Sequence, residues 1–190
     1  MTIRAVLPVK AFARAKARLS GVRSPAERAL LAEAMATATL AALAGFDPIV
    51  PCDDPQVATW ASAHHALPLD APPGLNAAVA TGIAVVESGL VAICHADLAF
   101  PGGLAELLAS TGPCIVGDRH GDGTNVLVIP AGTGFRIAYG ATSFRRHLDE
   151  ASRLGIDLEV IDDELLGWDV DGPDDLLTPP GWGPPSWEVG

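Results

Sequence analysis

The run Ile3-Arg4-Ala5-Val6-Leu7-Pro8-Val9 opens the sequence and decides the class of fold. It is short, apolar and partly β-branched, as is typical of a central strand in a parallel sheet. Similar short runs follow at 48–52, 66–69, 90–94, 114–117, 126–129 and 158–161. Helix-like segments separate most of these runs. This alternation predicts an α/β fold with a mostly parallel, mixed sheet flanked by helices.

Capping signals indicate where the helices begin. Ser24-Pro25-Ala26-Glu27 has the form of a capping box with proline at the first helical position, which predicts a helix over 25–44. Asp53-Asp54-Pro55 similarly predicts a helix that ends near His64. Further helices are expected from Leu75 to near Gly89, over 104–108 and from Ser143 to Gly155, and an extended segment is expected over 135–140.

The composition and charge of the chain limit the classes of molecule that it can bind. At 190 residues the chain is long enough for one domain with a full core, and its formal charge is −11 with a pI of about 4.6. This balance argues against a nucleic-acid polymer or an anionic membrane as partner, because both require a basic surface. Seven of the twelve lysines and arginines nevertheless fall within the first 28 residues. Such a cluster of basic residues could bind a small anion. The alternative is a basic stretch that is simply exposed to solvent.

The cysteines and the N-terminus bear on the compartment. Cys52, Cys94 and Cys114 lie far apart in apolar runs and show no zinc-binding spacing. They are interpreted as small buried residues in a reducing environment. The chain enters a strand pattern at once, and no apolar run approaches membrane-spanning length. We therefore expect a cytoplasmic protein.

The final stretch differs from the rest of the chain. Residues 1–177 are expected to form the domain, with no internal repeat and no dividing linker. Residues 178–190 contain four prolines and two tryptophans and are expected to be irregular. Trp182 and Trp187 indicate that this tail packs against the domain or a second subunit, so a homodimer is left open.

Polar clusters lie where predicted strands end. They comprise the basic segment 10–18, the segment 70–76, Asp97, and the loop that begins at Asp118. Ligands of open α/β sheets bind at the carboxyl ends of the strands, near the point where the strand order reverses. The coincidence of these clusters predicts an active site at that edge.

The loop Asp118-Arg119-His120-Gly121-Asp122-Gly123-Thr124-Asn125 lies between two predicted strands. Taken alone, it is typical of a hairpin turn. Its glycines also allow several backbone N–H groups to face one concavity, which suits an anion. Arg119, Thr124 and Asn125 are candidates for further donors. Among the other polar clusters, the loop is interpreted as the site of an acceptor phosphate.

Aspartates at two of the strand ends suit a magnesium ion. Asp97 directly follows the apolar run 90–94, and Asp169 and Asp171 belong to a closing motif. We expect only one of the latter two to accompany Asp97 as a metal ligand. Mg²⁺ commonly takes one or two carboxylates together with phosphate oxygens and water. The alternatives are a strand-end cap for Asp97 and a helix N-cap for Asp171.

Lys10, Lys16 and Arg18 are candidate catalytic cations. Fixed cations lower the barrier to phosphoryl and nucleotidyl transfer by stabilising negative charge. The sequence lacks the GxxxxGK[ST] pattern of P-loop enzymes and the GxGxxG pattern of dinucleotide-binding proteins. It also lacks an evident Ser-His-Asp or Cys-His arrangement. The histidines expected on helix surfaces are His64, His65 and His147.

These motifs together resemble the 2-phospho-L-lactate/phosphoenolpyruvate guanylyltransferases of coenzyme F420 biosynthesis, the CofC/FbiD family. The matching stretches are Pro8-Val9-Lys10 with Ala15-Lys16-Ala17-Arg18-Leu19, Gly74-Leu75-Asn76-Ala77-Ala78, Ala96-Asp97-Leu98, Asp118 to Asn125, Tyr139-Gly140 with Ser143-Phe144, and Asp169-Val170-Asp171-Gly172-Pro173. Each stretch alone is weak evidence for the family, but the ordered set is specific. Together the stretches cover the chain to about Leu177.

The resemblance implies a nucleotidyltransferase fold of the nucleotide-diphospho-sugar transferase, Rossmann-like type. It implies transfer of GMP from GTP to phosphoenolpyruvate or 2-phospho-L-lactate, with Mg²⁺. The implied roles are substrate binding by Thr124, Gly140 and Ser143, metal binding by Asp97 and Asp171, catalysis by Lys10, Lys16 and Arg18, and nucleotide binding by Gly74, Asn76 and, as a reader of guanine, Asp70.

The chain departs from the family pattern twice. Ala99-Phe100 follows Leu98 where the family usually has proline, and Gly172 stands where it usually has threonine. Neither departure removes a predicted ligand. They leave two other hypotheses open: a related nucleotidyltransferase with another acceptor or base, and a nucleotide-binding relative without activity.

Overall fold

The computed structural model describes residues 2–188, which form a seven-stranded sheet with helices on both faces. The strands are β1 (Ile3–Val6), β2 (Ile49–Cys52), β3 (Leu67–Asp70), β4 (Leu90–Cys94), β5 (Cys114–Gly117), β6 (Thr124–Pro130) and β7 (Glu159–Ile161). The helices are α1 (Pro25–Ala42), α2 (Pro55–Ala63), α3 (Leu75–Ala84), α4 (Leu104–Ser110) and α5 (Ser143–Leu154). Short 3-10 turns occupy Phe12–Arg14, Ala17–Leu19, Ala44–Phe46, Pro101–Gly103 and Pro173–Leu176.

The strand order is β3-β2-β1-β4-β6-β5-β7. All neighbours are parallel except β6, which runs antiparallel to both β4 and β5. The prediction of a mostly parallel, mixed α/β sheet is therefore confirmed. Because β6 runs in the opposite direction, its first residue lies at the edge where its parallel neighbours end. This arrangement brings Thr124 to the predicted site edge.

The sheet is buried by two layers of apolar side chains. Val126 and Val128 face the layer that contains α1, α2 and α4, whereas Leu127 and Ile129 face the layer that contains α3 and α5. This alternation follows from the two-residue period of a strand. On the second face α3 approaches β1 closely, since a Cβ at Gly82 would lie 2.6 Å from Cγ1 of Val6. The free cysteines Cys52, Cys94 and Cys114 are buried, as predicted.

Most predicted elements are present, and two of them end earlier than predicted. The capping box at Ser24 forms, and Asp54 caps α2. β1 ends at Val6, but the amides of Leu7 and Val9 still bond to β2. The predicted extension of α3 toward Gly89 is wrong. Gly89 has φ +84° and lies where a Cβ would come within 2.4 Å of the Thr2 carbonyl oxygen, so it belongs to the entry of β4.

The predicted extended segment 135–140 forms no strand. Its backbone is held by side chains instead, because the amide of Arg136 donates to Glu150 and that of Ala138 donates to His147. Among residues 2–188, no helix has both the length and the apolar character needed to cross a membrane.

Candidate active site

Lys16 and Asp97 meet at the point where the strand order reverses. The chain goes from β1 to β2 and β3 on one side, and then returns to β4 on the other side of β1. The loops that follow β1 and β4 therefore share a crevice, the usual ligand site of such sheets. Nζ of Lys16 donates to Oδ2 of Asp97 at 2.7 Å and also to the carbonyl oxygen of Val170. The structure thus joins the predicted cation segment to the predicted metal strand.

The surroundings of Asp97 keep its carboxylate ionised. Burial acts to raise the pKa of Asp97, but the Lys16 ammonium and His95 outweigh it, so that the pKa lies below its ordinary value. The Lys16 side chain is only 7% exposed, which shields this ion pair from solvent. A fixed, ionised carboxylate is the state that a metal ligand requires.

Two further aspartates belong to the same region. Residues 97–99 pair with 168–170, since the Val170 amide donates to the Asp97 carbonyl at 3.1 Å and the Ala99 amide to the Trp168 carbonyl at 2.8 Å. Burial, followed by the charges of Asp97 and Asp171, raises the pKa of Asp169 to about 7. The segment therefore concentrates negative charge beside Asp97.

Asp171 does not cap the turn at Pro173. Gly172 occupies the N-cap position, and Asp175 accepts the backbone N–H groups of Asp171 and Gly172. The N-cap alternative for Asp171 is therefore wrong. Its carboxylate is instead exposed and accepts from Nη1 of Arg18 at 2.8 Å. Two residues predicted for the site are thus in direct contact.

The donor set fits a hard divalent cation. The carboxylates of Asp97 and Asp171 lie near that of Asp169, since their charges help to raise its pKa, and a positive ion would relieve this repulsion. Within residues 2–188, no group of three or more histidine, cysteine or acidic side chains is placed so that it could hold a metal ion. One or two carboxylates of this region could therefore hold a divalent cation only together with water or phosphate oxygens.

The residues predicted for the nucleotide side lie at the same edge. Asp70 is the last residue of β3 and is exposed, and Lys10 is exposed after β1. Gly74 caps α3 with φ +105°. Asn76 is largely committed to the protein: its Oδ1 accepts from the Tyr139 amide at 2.7 Å and its Nδ2 donates to the Tyr139 carbonyl at 3.2 Å. Asn76 therefore fixes the position of the segment that leads to Gly140.

The loop from Asp118 to Gly123 is a hairpin connection between β5 and β6, as its local sequence predicted. The concavity formed by its backbone amides already holds an anion. The Asp118 carboxylate accepts from the N–H groups of His120, Asp122 and Gly123 at 3.1, 2.9 and 2.8 Å. The expectation that these amides face an external phosphate is therefore wrong.

Two other donors proposed for this loop are also occupied. Arg119 pairs with Asp175, and its guanidinium lies 4.2 Å from the ring centroid of Trp168. Asn125 is buried and donates to the Leu166 carbonyl at 3.0 Å. Both side chains stabilise the contact between the hairpin and the closing segment, and only Thr124 remains as the proposed acceptor-binding residue of the loop.

Thr124 and Ser143 meet in the structure, and His147 joins them. The two hydroxyl oxygens lie 3.4 Å apart, and Nδ1 of His147 lies 3.0 Å from Oγ1 of Thr124. Gly140, with φ +116°, accepts from the Ser143 amide at the start of α5. Thr124 and Ser143 are each 1% exposed, so this pair of hydroxyl groups is buried.

The prediction that His147 lies on a helix surface is wrong, because its side chain is fully buried. A sequence signal for this placement exists. Residue 147 follows Ser143 by four positions, so the two share one face of α5. The α5 sequence is strongly polar, so this spacing does not show which face of the helix is buried.

The tail packs against the domain beside Asp97. The Ser186 amide donates to the Ala99 carbonyl at 2.7 Å, and its hydroxyl donates to the Leu98 carbonyl at 3.0 Å. The Phe100 ring contacts Trp182, with centroids 5.5 Å apart. The departure Ala99-Phe100 is thus accommodated by a buried aromatic contact. The tail braces the segment that follows Asp97.

Comparison with known proteins identifies relatives along nearly the whole chain. The family model described as "Guanylyl transferase CofC like" matches residues 3–178. The chain is 37% identical to the phosphoenolpyruvate guanylyltransferase of Conexibacter woesei, over 93% of this chain and 86% of that protein. It is 37% identical to the 2-phospho-L-lactate guanylyltransferase of Natrialba magadii, over 85% and 77%. It is 31% identical to the 3-phospho-D-glycerate guanylyltransferase of Phenylobacterium zucineum, over 91% and 87%.

Solved structures share the fold at lower identity. A nucleotide-diphospho-sugar transferase from Desulfovibrio desulfuricans G20 superposes with a TM-score of 0.71 at 18% identity, covering 93% of this chain and 85% of that one. Glucosyl-3-phosphoglycerate synthase from Mycobacterium tuberculosis, in complex with Mn²⁺, UDP and its product, gives 0.54 at 16% identity, covering 84% and 68%. These likenesses confirm the predicted fold type.

Proposed function

The chain belongs to the family of CofC-like guanylyl transferases, and on that premise we propose that it transfers GMP from GTP to a phosphorylated three-carbon acid with release of pyrophosphate. The relatives are named for phosphoenolpyruvate, 2-phospho-L-lactate and 3-phospho-D-glycerate, which all carry a phosphate and a carboxylate. We assign phosphoenolpyruvate or 2-phospho-L-lactate as the acceptor, the step of coenzyme F420 biosynthesis. The ion pair of the buried Lys16 with the partly buried Asp97, at the strand-order reversal, is the observation that carries this function.

The reaction requires no covalent enzyme intermediate. An oxygen of the acceptor phosphate attacks the α-phosphorus of GTP, and the bond from that phosphorus to the bridging oxygen of the β-phosphate breaks. Negative charge builds up on the α-phosphate and on the departing pyrophosphate. Lys10, Lys16 and Arg18 belong to one segment that follows β1, and they supply the cations that stabilise this charge.

The metal is Mg²⁺ in this proposal, held by Asp97 and Asp171 with Asp169 beside them. The bound ion supplies positive charge that neutralises the phosphates and orients them for in-line displacement. Lys16 holds Asp97 at a fixed position and preserves its ionised state. The exposed Arg18 side chain pairs with Asp171 at the outer side of the site.

Substrates occupy the two sides of this centre. Asp70, Gly74 and Asn76 line the nucleotide side, where the exposed Asp70 carboxylate accepts from the guanine ring N–H and amino group. Thr124, Gly140 and Ser143 line the acid side. The contact between the hydroxyl groups of Thr124 and Ser143 supports this assignment, because it brings together two polar side chains that are 19 positions apart in the sequence.

One assay separates this proposal from its rivals. The protein is incubated with Mg²⁺, each nucleoside triphosphate in turn, and phosphoenolpyruvate or 2-phospho-L-lactate, and pyrophosphate release is measured. We expect release with GTP and at least one of these acids. Release only with another triphosphate or with another phosphorylated acceptor would indicate a related nucleotidyltransferase. Tight binding of GTP without turnover of any acceptor would indicate an inactive nucleotide-binding relative.

A further inference from the structure

His147 is a buried histidine at the acid side of the site. Its ring lies among the aromatic rings of Phe135 and Tyr139, with centroid separations of 6.0 and 4.9 Å. Its Nε2 lies 3.1 Å from the amide nitrogen of Ala138, and its Nδ1 lies 3.0 Å from Oγ1 of Thr124. The ring therefore bridges the segment that leads to Gly140 and the first residue of β6.

These contacts determine where the ring proton lies. A backbone N–H can only donate, so Nε2 of His147 accepts from Ala138 and carries no hydrogen. The hydrogen of the neutral ring is then on Nδ1 and is donated to Oγ1 of Thr124. The neutral form is also favoured by the surroundings, since burial, Arg146 and His95 lower the pKa of His147 to about 4.

The donated proton gives the neighbouring hydroxyls a direction. Thr124 and Ser143 together have two hydroxyl hydrogens. The one hydrogen bond between the two hydroxyl groups uses one of them. The lone pairs of Thr124 that face His147 are engaged by the Nδ1 hydrogen. One hydroxyl hydrogen of the pair is thus left for a further acceptor. Hydrogen bonds connected in a row polarise one another. A phosphate oxygen is a strong acceptor for the hydroxyl hydrogen that is left over.

We propose that His147 is a positioning residue, which holds Thr124 and Ser143 as a directed donor pair for the phosphorylated acid. This inference rests on the proposed function, in which these two hydroxyls contact the acid. His147 itself touches neither substrate nor metal in this proposal. It acts through Thr124, and its bond to Ala138 keeps the correct ring nitrogen protonated.

Two substitutions separate the functions of the two ring nitrogens. In His147→Asn the amide nitrogen takes the place of Nδ1 and retains a donor to Thr124 while the contact to Ala138 is lost. In His147→Gln the longer side chain takes the place of Nε2 and retains the acceptor for Ala138. We expect the KM for the acid to rise about tenfold in His147→Gln and about threefold in His147→Asn. The KM for GTP stays unchanged in both.

A double-mutant cycle tests whether His147 acts through Thr124. Thr124→Val raises the KM for the acid, and adding His147→Gln to it raises that KM by less than about twofold. A full further increase in the double variant would overturn the proposal, as would an equal rise in both KM values in His147→Gln. Arg145→Gln is the matched control, because Arg145 lies on α5 with an exposed side chain paired to Asp149. It leaves both KM values unchanged.

The ring tautomer provides a test that does not depend on turnover. Long-range ¹H–¹⁵N NMR correlation on the full chain at neutral pH is expected to show His147 protonated at Nδ1. Protonation at Nε2 would overturn the inference. This test requires neither an active protein nor a folded His147→Gln variant. Absence of turnover with every acid, together with the Nδ1 tautomer, would instead overturn the proposed function. An unchanged KM for the acid in Thr124→Val would overturn the positioning role and the acid-site assignment together.

Discussion

Nζ of Lys16 lies 2.7 Å from Oδ2 of Asp97, although 81 positions separate the two residues. The contact joins the loop after β1 to the end of β4, the two central parallel strands. Lys16 has φ +54°, a left-handed conformation that is uncommon for residues other than glycine. This backbone conformation directs the ammonium inward, whereas the neighbouring cations Arg14 and Arg18 lie at the surface.

Replacing Lys16 is expected to remove most of the activity. Lys16→Gln deletes the charge that keeps Asp97 ionised and that faces the developing phosphate charge. We expect kcat to fall by about 100-fold or more, as happens when a fixed electrostatic group is removed from such sites. Steady-state pyrophosphate release measures the effect. Arg14→Gln in the same loop, whose exposed side chain pairs with Asp53, is the control and should retain wild-type kcat.

The carboxylates are expected to differ in their importance. Asp97→Asn keeps the shape of the side chain but removes the buried charge opposite Lys16, and we expect it to abolish measurable turnover. Asp171→Asn, whose carboxylate is 58% exposed and shared with Arg18, should instead raise the Mg²⁺ concentration needed for half-maximal rate. Rates at several Mg²⁺ concentrations distinguish the two effects. A near-normal rate for Asp97→Asn would remove it from the metal site.

The sequence was informative where local rules act and less so where side chains meet over long distances. The capping box at Ser24 and the apolar strand run 126–129 follow from local chemistry, and both were predicted. The site edge was also predictable, because strand ends collect ligands in α/β sheets. The partners of each hydrogen bond in the site were not predictable. The capture of the loop amides by Asp118 does not follow from spacing, and the spacing that places His147 on the same helix face as Ser143 does not show that this face is buried.

Asp118 is expected to stabilise the hairpin rather than to bind substrate. Asp118→Ala leaves three backbone N–H groups without their acceptor. Since these amides lie near solvent, we expect a loss of about 1–2 kcal/mol in the free energy of unfolding. Urea denaturation measures it. His120→Ala in the same loop removes only an exposed side chain and should change stability by less than about 0.5 kcal/mol. Equal stability of the two variants would contradict the structural role of Asp118.

The tail is expected to support both stability and activity. Trp182→Ala removes edge contacts to Phe100 and Trp168, whose ring centroids lie 5.5 and 5.4 Å away. For a half-buried aromatic ring we expect a loss of about 2 kcal/mol in unfolding free energy. A several-fold decrease in kcat should accompany it, because the segment after Asp97 loses its brace. Leu177→Ala, 74% exposed at the start of the tail, is the control and should change neither quantity.

The stability of the protein is expected to fall as the pH drops from neutral toward 4, in part through His147. Its pKa is about 4 in the folded state and about 6.5 for an ordinary histidine, because burial, Arg146 and His95 disfavour the charged ring. Between these values the unfolded chain binds a proton that the folded chain excludes, so a falling pH favours unfolding. The shift corresponds to at most about 3 kcal/mol, which is present above pH 6.5 and lost as the pH reaches 4.

His147→Gln isolates this contribution, because glutamine does not titrate. The difference in unfolding free energy between wild type and His147→Gln, measured by urea denaturation at a series of pH values, should shrink by up to about 3 kcal/mol between pH 7 and pH 4. His120→Gln, an exposed histidine on the hairpin, leaves His147 in place and should retain the wild-type dependence. A parallel pH profile for wild type and His147→Gln would show instead that the buried ring is protonated in the folded protein, and that its bond from the Ala138 amide does not form in solution.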